Sequence, residues 1–74
     1  MSASDRSFLI VLPTKNEALV LEQNVRLLVR FLEALPSLGR WRICIADNGS
    51  TDATPSIAAA LSADPRISWF HLDE

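Results

Sequence analysis

At 74 residues the chain has room for one domain at most, near the length at which a single core only marginally offsets chain entropy. It is 49% hydrophobic and 22% charged with a formal net charge of -2, which argues against a nucleic-acid polymer or an anionic membrane surface as the main partner. The single cysteine, Cys44, excludes an internal disulfide; inside an apolar run, it reads as a small core residue in a reducing compartment.

No apolar run approaches the roughly 20 residues needed to span a bilayer. The apolar block that follows Asp5 and Arg6 is too short for a secretory signal. The chain therefore reads as cytoplasmic and soluble in type, without repeats, linkers or low-complexity tracts.

Phe8-Leu9-Ile10-Val11-Leu12 is a continuous apolar run of the kind found in strands buried on both faces, and Pro13 is expected to close its pairing. Thr14-Lys15-Asn16-Glu17 matches a capping box, in which Thr14 accepts from the amide three residues on and Glu17 reaches back, with Asn16 as the competing cap. A helix follows. Leu21, Val25, Leu28, Leu32 and Leu35 recur at three- and four-residue steps, widened by Ala18 and Val29, while Glu22, Arg26, Arg30 and Glu33 fill a solvated face. Pro36 and Gly39 end it.

Trp41 to Ala46 reads as a second strand, β-branched and apolar on both faces as an interior strand of a parallel sheet should be. The run stops at Asp47 and turns through Asn48-Gly49-Ser50. Asn-Gly also suits a hairpin, but an alanine-rich helical segment follows instead of a strand. That helix is expected to start with Thr54 as N-cap and Pro55 at its first position, with Ile57 and Leu61 as its stripe and Asp64-Pro65 as its stop. Ile67 to Leu72 reads as a third strand, with Ile67, Trp69 and His71 on one face and Phe70 and Leu72 on the other.

The order is β-α-β-α-β, half of a doubly wound α/β domain with parallel strands. The first strand falls in the middle of any larger sheet and the other two lie to one side. In such sheets ligands bind beyond the carboxyl ends of the strands, where two loops converge: Pro13 to Glu17 and Asp47 to Ser50. Carboxylates and amides there can read a base or ribose, and two helix N-termini favour a phosphate. Thr14, Asp52 and Thr54 also read simply as helix caps. Asp47 stands too far before the second helix to cap it and is the stronger functional candidate.

Leu12-Pro13-Thr14-Lys15-Asn16-Glu17, an amphipathic helix, and then Ile45-Ala46-Asp47-Asn48-Gly49-Ser50-Thr51-Asp52 together resemble the opening of a family 2 glycosyltransferase, in the branch of dolichyl- and polyprenyl-phosphate sugar transferases. The resemblance runs from about Phe8 to Leu72 and implies a Rossmann-like GT-A domain, of which residues 1–74 form the N-terminal nucleotide-binding part. It implies that Pro13, Thr14, Lys15 and Glu17 on the first loop, and Asp47 and Asn48 on the second, hold the nucleotide of a UDP- or GDP-sugar donor. The reaction implied is inverting transfer of a hexose to a lipid phosphate or another hydroxyl. Two positions depart from the family pattern: Lys15 stands where an aromatic residue is frequent and is placed to meet a phosphate, and Asn48 replaces a frequent second acid.

The family's metal-binding Asp-x-Asp and catalytic residues fall beyond Glu74. No catalytic or metal residue is assigned within the chain, and Mg or Mn is expected only for the complete domain. The same holds for any membrane association, which would come from downstream segments. Two other readings are a non-catalytic nucleotide-binding or interaction module and, ranked last, a phosphatase- or receiver-like protein with Asp47 as nucleophile. Asn48-Gly49-Ser50 fits the glycosylation pattern by coincidence, the Asp47–Asp52 run lacks the spacing of a calcium loop, and His71 alone makes no zinc site. Trp41 and Trp69 read as packing residues. The isolated chain, with an apolar strand edge and one sheet face uncovered, is expected to self-associate.

Overall fold

The computed structural model describes residues 7–73. Strand β1 (Ser7–Thr14) leads through helix α1 (Ala18–Glu33) and a short 3-10 turn (Pro36–Leu38) to β2 (Arg40–Asn48), and helix α2 (Thr54–Leu61) leads to β3 (Ile67–Leu72). The three strands are parallel in the order β1-β2-β3. This is the α/β, β-α-β-α-β half of a Rossmann-like sheet that the residue pattern predicts.

Because both crossovers step the same way across the sheet, both helices pack on one face. The register sets that face out in rows across the strands: Ile10, Ile43 and Ile67, then Leu12, Ile45 and Trp69, then Thr14, Asp47 and His71. The first two rows are apolar and belong to the core or pack against it; the last, at the carboxyl ends, is polar. From above, α1 adds Leu21, Val25 and Leu32, and α2 adds Ala58. The predicted stripe of α1 therefore holds, although the helix ends at Glu33 and Leu35 falls in the connection to the 3-10 turn. On its solvated side Arg26 donates to Glu22 at 2.8 Å, an exposed i,i+4 pair that adds a few tenths of a kcal/mol.

Three local expectations are corrected. Pairing of β1 does not stop at Pro13 but runs on through Pro13 opposite Ala46 and Thr14 opposite Asp47. A proline, lacking an amide hydrogen, is tolerated in a strand at the sheet edge. Nor is β1 buried on both faces: Leu9 and Val11 are more than half exposed, since no helix crosses the second face. Phe70 and Leu72 of β3 are open on that same face. Cys44, expected in the core, also lies there and is only partly covered. The interior strand is β2, whose Ile43, Ile45 and Asp47 are fully buried.

At the opposite end of the sheet Arg66 ties β3 to its neighbours. It donates to Asp64 and Glu33 and lies 4.5 Å over the Trp41 ring, so Trp41 is a packing residue. These carboxylates raise the Arg66 pKa further above its ordinary value.

Burial predicts a sharp contrast between positions. Ile45→Ala, in the middle of the core, should lower the unfolding free energy by about 2–5 kcal/mol. Leu19→Gln, at a side chain 98% exposed on α1, should change it by less than about 0.5 kcal/mol. Urea unfolding of the two variants followed by circular dichroism measures both.

Candidate functional site

The carboxyl ends of β1 and β2 open into the two loops that the residue pattern brings together, and the structure laces them side to side. Asn16 takes a left-handed backbone (φ 51°), a conformation asparagine tolerates better than most residues. From there its amide donates to Ser50 Oγ at 2.8 Å, and its side-chain oxygen accepts the Thr51 amide at 2.8 Å. Gly49 also lies at positive φ (72°), where a side chain would be costly, and turns the chain back over the strand end.

Asp52 joins the two helix starts. Its Oδ1 accepts from the Thr54 amide at 2.9 Å and the Thr54 hydroxyl at 2.5 Å, and its Oδ2 accepts from the Ala18 amide at 3.3 Å. The Thr54 hydroxyl in turn accepts the Glu17 amide at 3.0 Å. The first amides of α1 are thus capped from the other loop. The capping box of Thr14 and Glu17 does not form: Glu17 occupies the N-cap position without a side-chain bond. Thr54 does not cap its own helix but begins it, with Ala53 at the N-cap. The amides of Asn16, Glu17, Ala18 and Thr54 are thus taken by partners within the protein, which leaves less of either helix start open to an anion than the sequence suggests.

Below these loops lies the polar row. The Asp47 carboxylate is fully buried; Ser50 Oγ donates to its Oδ1, and His71 Nδ1 lies 2.5 Å from its Oδ2. Burial pushes its pKa up, but the hydrogen bonds from Ser50 and His71 and the His71 charge outweigh this and hold the carboxyl below its ordinary range. An aspartyl nucleophile needs a carboxylate oxygen free for attack, and both Asp47 oxygens are engaged, by Ser50 and by His71, so this geometry does not suit the phosphatase-like reading. His71 is the residue whose role at the rim the sequence reading missed. The signal was its alternation with Ile67 and Trp69, which put all three on one face of the strand; the register shows that this is the helix-covered face.

Of the six predicted binding residues, Thr14 and Asp47 share the buried row; Pro13, Lys15 and Asn48 are exposed around it, and Glu17 is half-buried at the start of α1. The Thr14 hydroxyl is the one buried side-chain polar atom among the described residues that has no hydrogen-bond partner. A concavity of about 860 Å³ runs between α1 and α2 past Val25, Val29 and Leu61 and includes none of the six. Among the described residues no three His, Cys, Asp or Glu side chains are grouped to hold a metal ion, and no helix is long and apolar enough to cross a membrane.

Residues 9–74 match the family described as Glycosyl transferase family 2, and the chain belongs to that family. It is 39% identical over 66 residues to the glycosyltransferase AglD of Haloferax volcanii; the match covers 88% of this chain and 11% of that protein. No solved structure matches.

Asp47 contributes to the acid limb of the stability curve, alongside Asp52 and Asp64, whose hydrogen bonds from Thr54 and Arg66 also hold their carboxyls below the ordinary value. A carboxyl with a folded pKa below its unfolded value of 3.8 adds stability that is fully present above that value and is lost as pH falls through the folded pKa. Thermal melting should therefore drop steeply below about pH 4. Asp47→Asn should flatten that limb while lowering the plateau at neutral pH, as scanning calorimetry across pH 2–7 would show.

Proposed function

We propose that this member of glycosyltransferase family 2 supplies the nucleotide pocket of an enzyme that transfers a hexose from a UDP- or GDP-sugar to a lipid phosphate or another hydroxyl. The observation that carries the reading is the Thr14 hydroxyl, buried and unpartnered in the same row as Asp47 at the carboxyl ends of the strands. A buried hydroxyl without a partner costs free energy that a bound ligand can restore. Around it, exposed Lys15 and Asn48 stand at the mouth of the rim, Lys15 suited to a phosphate and Asn48 to donate and accept on a base or ribose. Pro13 and Glu17 frame the first loop. Family membership supports a nucleotide-sugar donor; UDP or GDP, the hexose and the lipid acceptor are our assignments from the resemblance of the two loops to the dolichyl-phosphate branch.

Within this chain the chemistry is binding and orientation. Thr14 and Asp47 present fixed groups, and the lacing between the loops keeps their positions when donor arrives. Mg or Mn, in the complete domain, would neutralise the diphosphate leaving group. By the family resemblance its ligands would lie beyond Glu74. We place the reaction in the cytoplasm or on the cytoplasmic face of a membrane.

Two substitutions test the pocket in the protein at its natural length. Thr14→Val removes a hydroxyl that bonds nothing in the protein, so its stability should hold or rise slightly while nucleotide-sugar affinity falls about tenfold. Asp47→Ala should cost about 1.5–3 kcal/mol of donor binding together with some stability, because Ser50 and His71 lose their acceptor. Calorimetric titration with UDP- and GDP-sugars reads both, and normal donor binding by Thr14→Val would remove the assignment. Sugar transfer, as against binding alone, separates the transferase from a non-catalytic module.

The uncovered face generates a further expectation for the 74 residues in isolation. Leu9 and Val11 beside the unpaired edge of β1, and Phe70 and Leu72 on β3, leave apolar side chains open on one sheet face. The isolated chain should self-associate, with a sedimentation coefficient that rises with concentration. Leu9→Lys with Val11→Lys should shift it toward monomer.

A further inference from the structure

The hydrogen bonds at the rim form one connected path. His71 at the end of β3 meets Asp47 at the end of β2; Asp47 accepts from Ser50; Ser50 accepts from the amide of Asn16 after β1. One imidazole therefore stands at the head of a network that reaches both binding loops. Its other nitrogen, Nε2, lies 3.1 Å from Asp73 Oδ1. Both ring nitrogens face carboxylate oxygens, and only the imidazolium has an N–H for each; a neutral ring carries one.

We infer that His71 is a positioning residue for donor binding: its protonated ring holds the Asp47 carboxylate, and through Ser50 the loop beside it, in the orientation that receives the nucleotide, so that donor affinity falls as His71 loses its proton. The inference rests on the reading of Thr14 and Asp47 as nucleotide-binding residues. It adds a third strand end to a site that the sequence confines to two loops.

The groups facing the ring are few. Asp47 on β2 and Asp73 just after β3 are the charged side chains within ion-pair distance of it among the described residues, and Thr14 on β1 completes the row beyond Asp47. The Asp47 hydrogen bond raises the His71 pKa above its ordinary 6.5; burial opposes this, and the charges of Asp47 and Asp73 reinforce it. A raised folded pKa means that the stabilising contact is complete below 6.5 and is lost as pH rises through the folded value. Deprotonation leaves one N–H between two carboxylates and takes a positive charge from beside Asp47. The pocket then loosens toward alkaline pH, opposite in direction to the acid loss set by Asp47.

The test uses the natural-length protein as wild type, His71→Asn and His71→Leu, titrated calorimetrically with UDP and with GDP between pH 6 and pH 9. Asparagine keeps an amide donor near the position of Nδ1 but does not titrate; leucine offers no donor. Wild-type affinity for the preferred nucleotide should fall about tenfold across this range, the change expected when a charge-assisted hydrogen bond becomes a neutral one. His71→Asn should bind with a flat profile relative to wild type, and His71→Leu should bind weakly throughout. The phosphates of the nucleotide titrate alike in all three proteins and cancel in the comparison. If His71→Asn keeps the wild-type slope, or His71→Leu binds like wild type, the inference is overturned.

If wild type binds neither nucleotide at any pH, the nucleotide-pocket reading and the role in donor binding fall together. The contact itself is decided separately by imidazole nitrogen NMR, with the His71 signals assigned by their loss in His71→Asn. A pKa above 6.5 that returns to the ordinary range in Asp47→Asn supports the hold on Asp47; an unchanged value overturns it.

Discussion

A carboxylate taken wholly out of water at the end of a central strand must be met by donors, and much of the carboxyl end of this sheet is arranged to meet the one on Asp47. Ser50 approaches from the turn above and His71 from the neighbouring strand, so the same contacts that satisfy the charge fix the path of the loop between β2 and α2. The apolar rows of the sheet end one residue pair below it, at Leu12, Ile45 and Trp69. Hydrophobic burial holds the strands together, and the buried acid sets where burial stops and polar chemistry begins.

The two loops depend on each other in the same way. Helix N-termini present amides that have no partner in their own helix. Here α1 is capped by Asp52 and Thr54 from the far loop, and Asn16 returns a bond to Thr51. Each loop thus completes the other across the sheet. Such a rim is held in place by the protein's own bonds, and preorganisation of this kind lowers the ordering cost that the proposed donor binding would meet.

One face of the sheet supplies the core and the other is left apolar and open. That asymmetry follows from two crossovers stepping in the same direction, which place both helices together. It explains how β1 can have the composition of a fully buried strand while Leu9 and Val11 stand exposed.

The residue pattern by itself determined the element order, the parallel sheet and the two loops, because these depend on local signals. The 3.6-residue recurrence from Leu21 to Leu32 defines a helix, the apolar run Ile43-Cys44-Ile45 a buried strand, and the conformational needs of Gly49 and Pro55 mark the break between β2 and α2. The face on which His71 stands was likewise legible in its alternation with Trp69. Its pairing with Asp47 was not, because that contact joins residues 24 apart through a register set by the whole sheet. The caps were misread for the same reason: Thr14, Glu17 and Thr54 fit local capping rules, but the bonds of Asp52 and Thr54 to the start of α1 span more than thirty residues. Local propensity names residues able to cap a helix, and tertiary packing decides which helix end each one reaches.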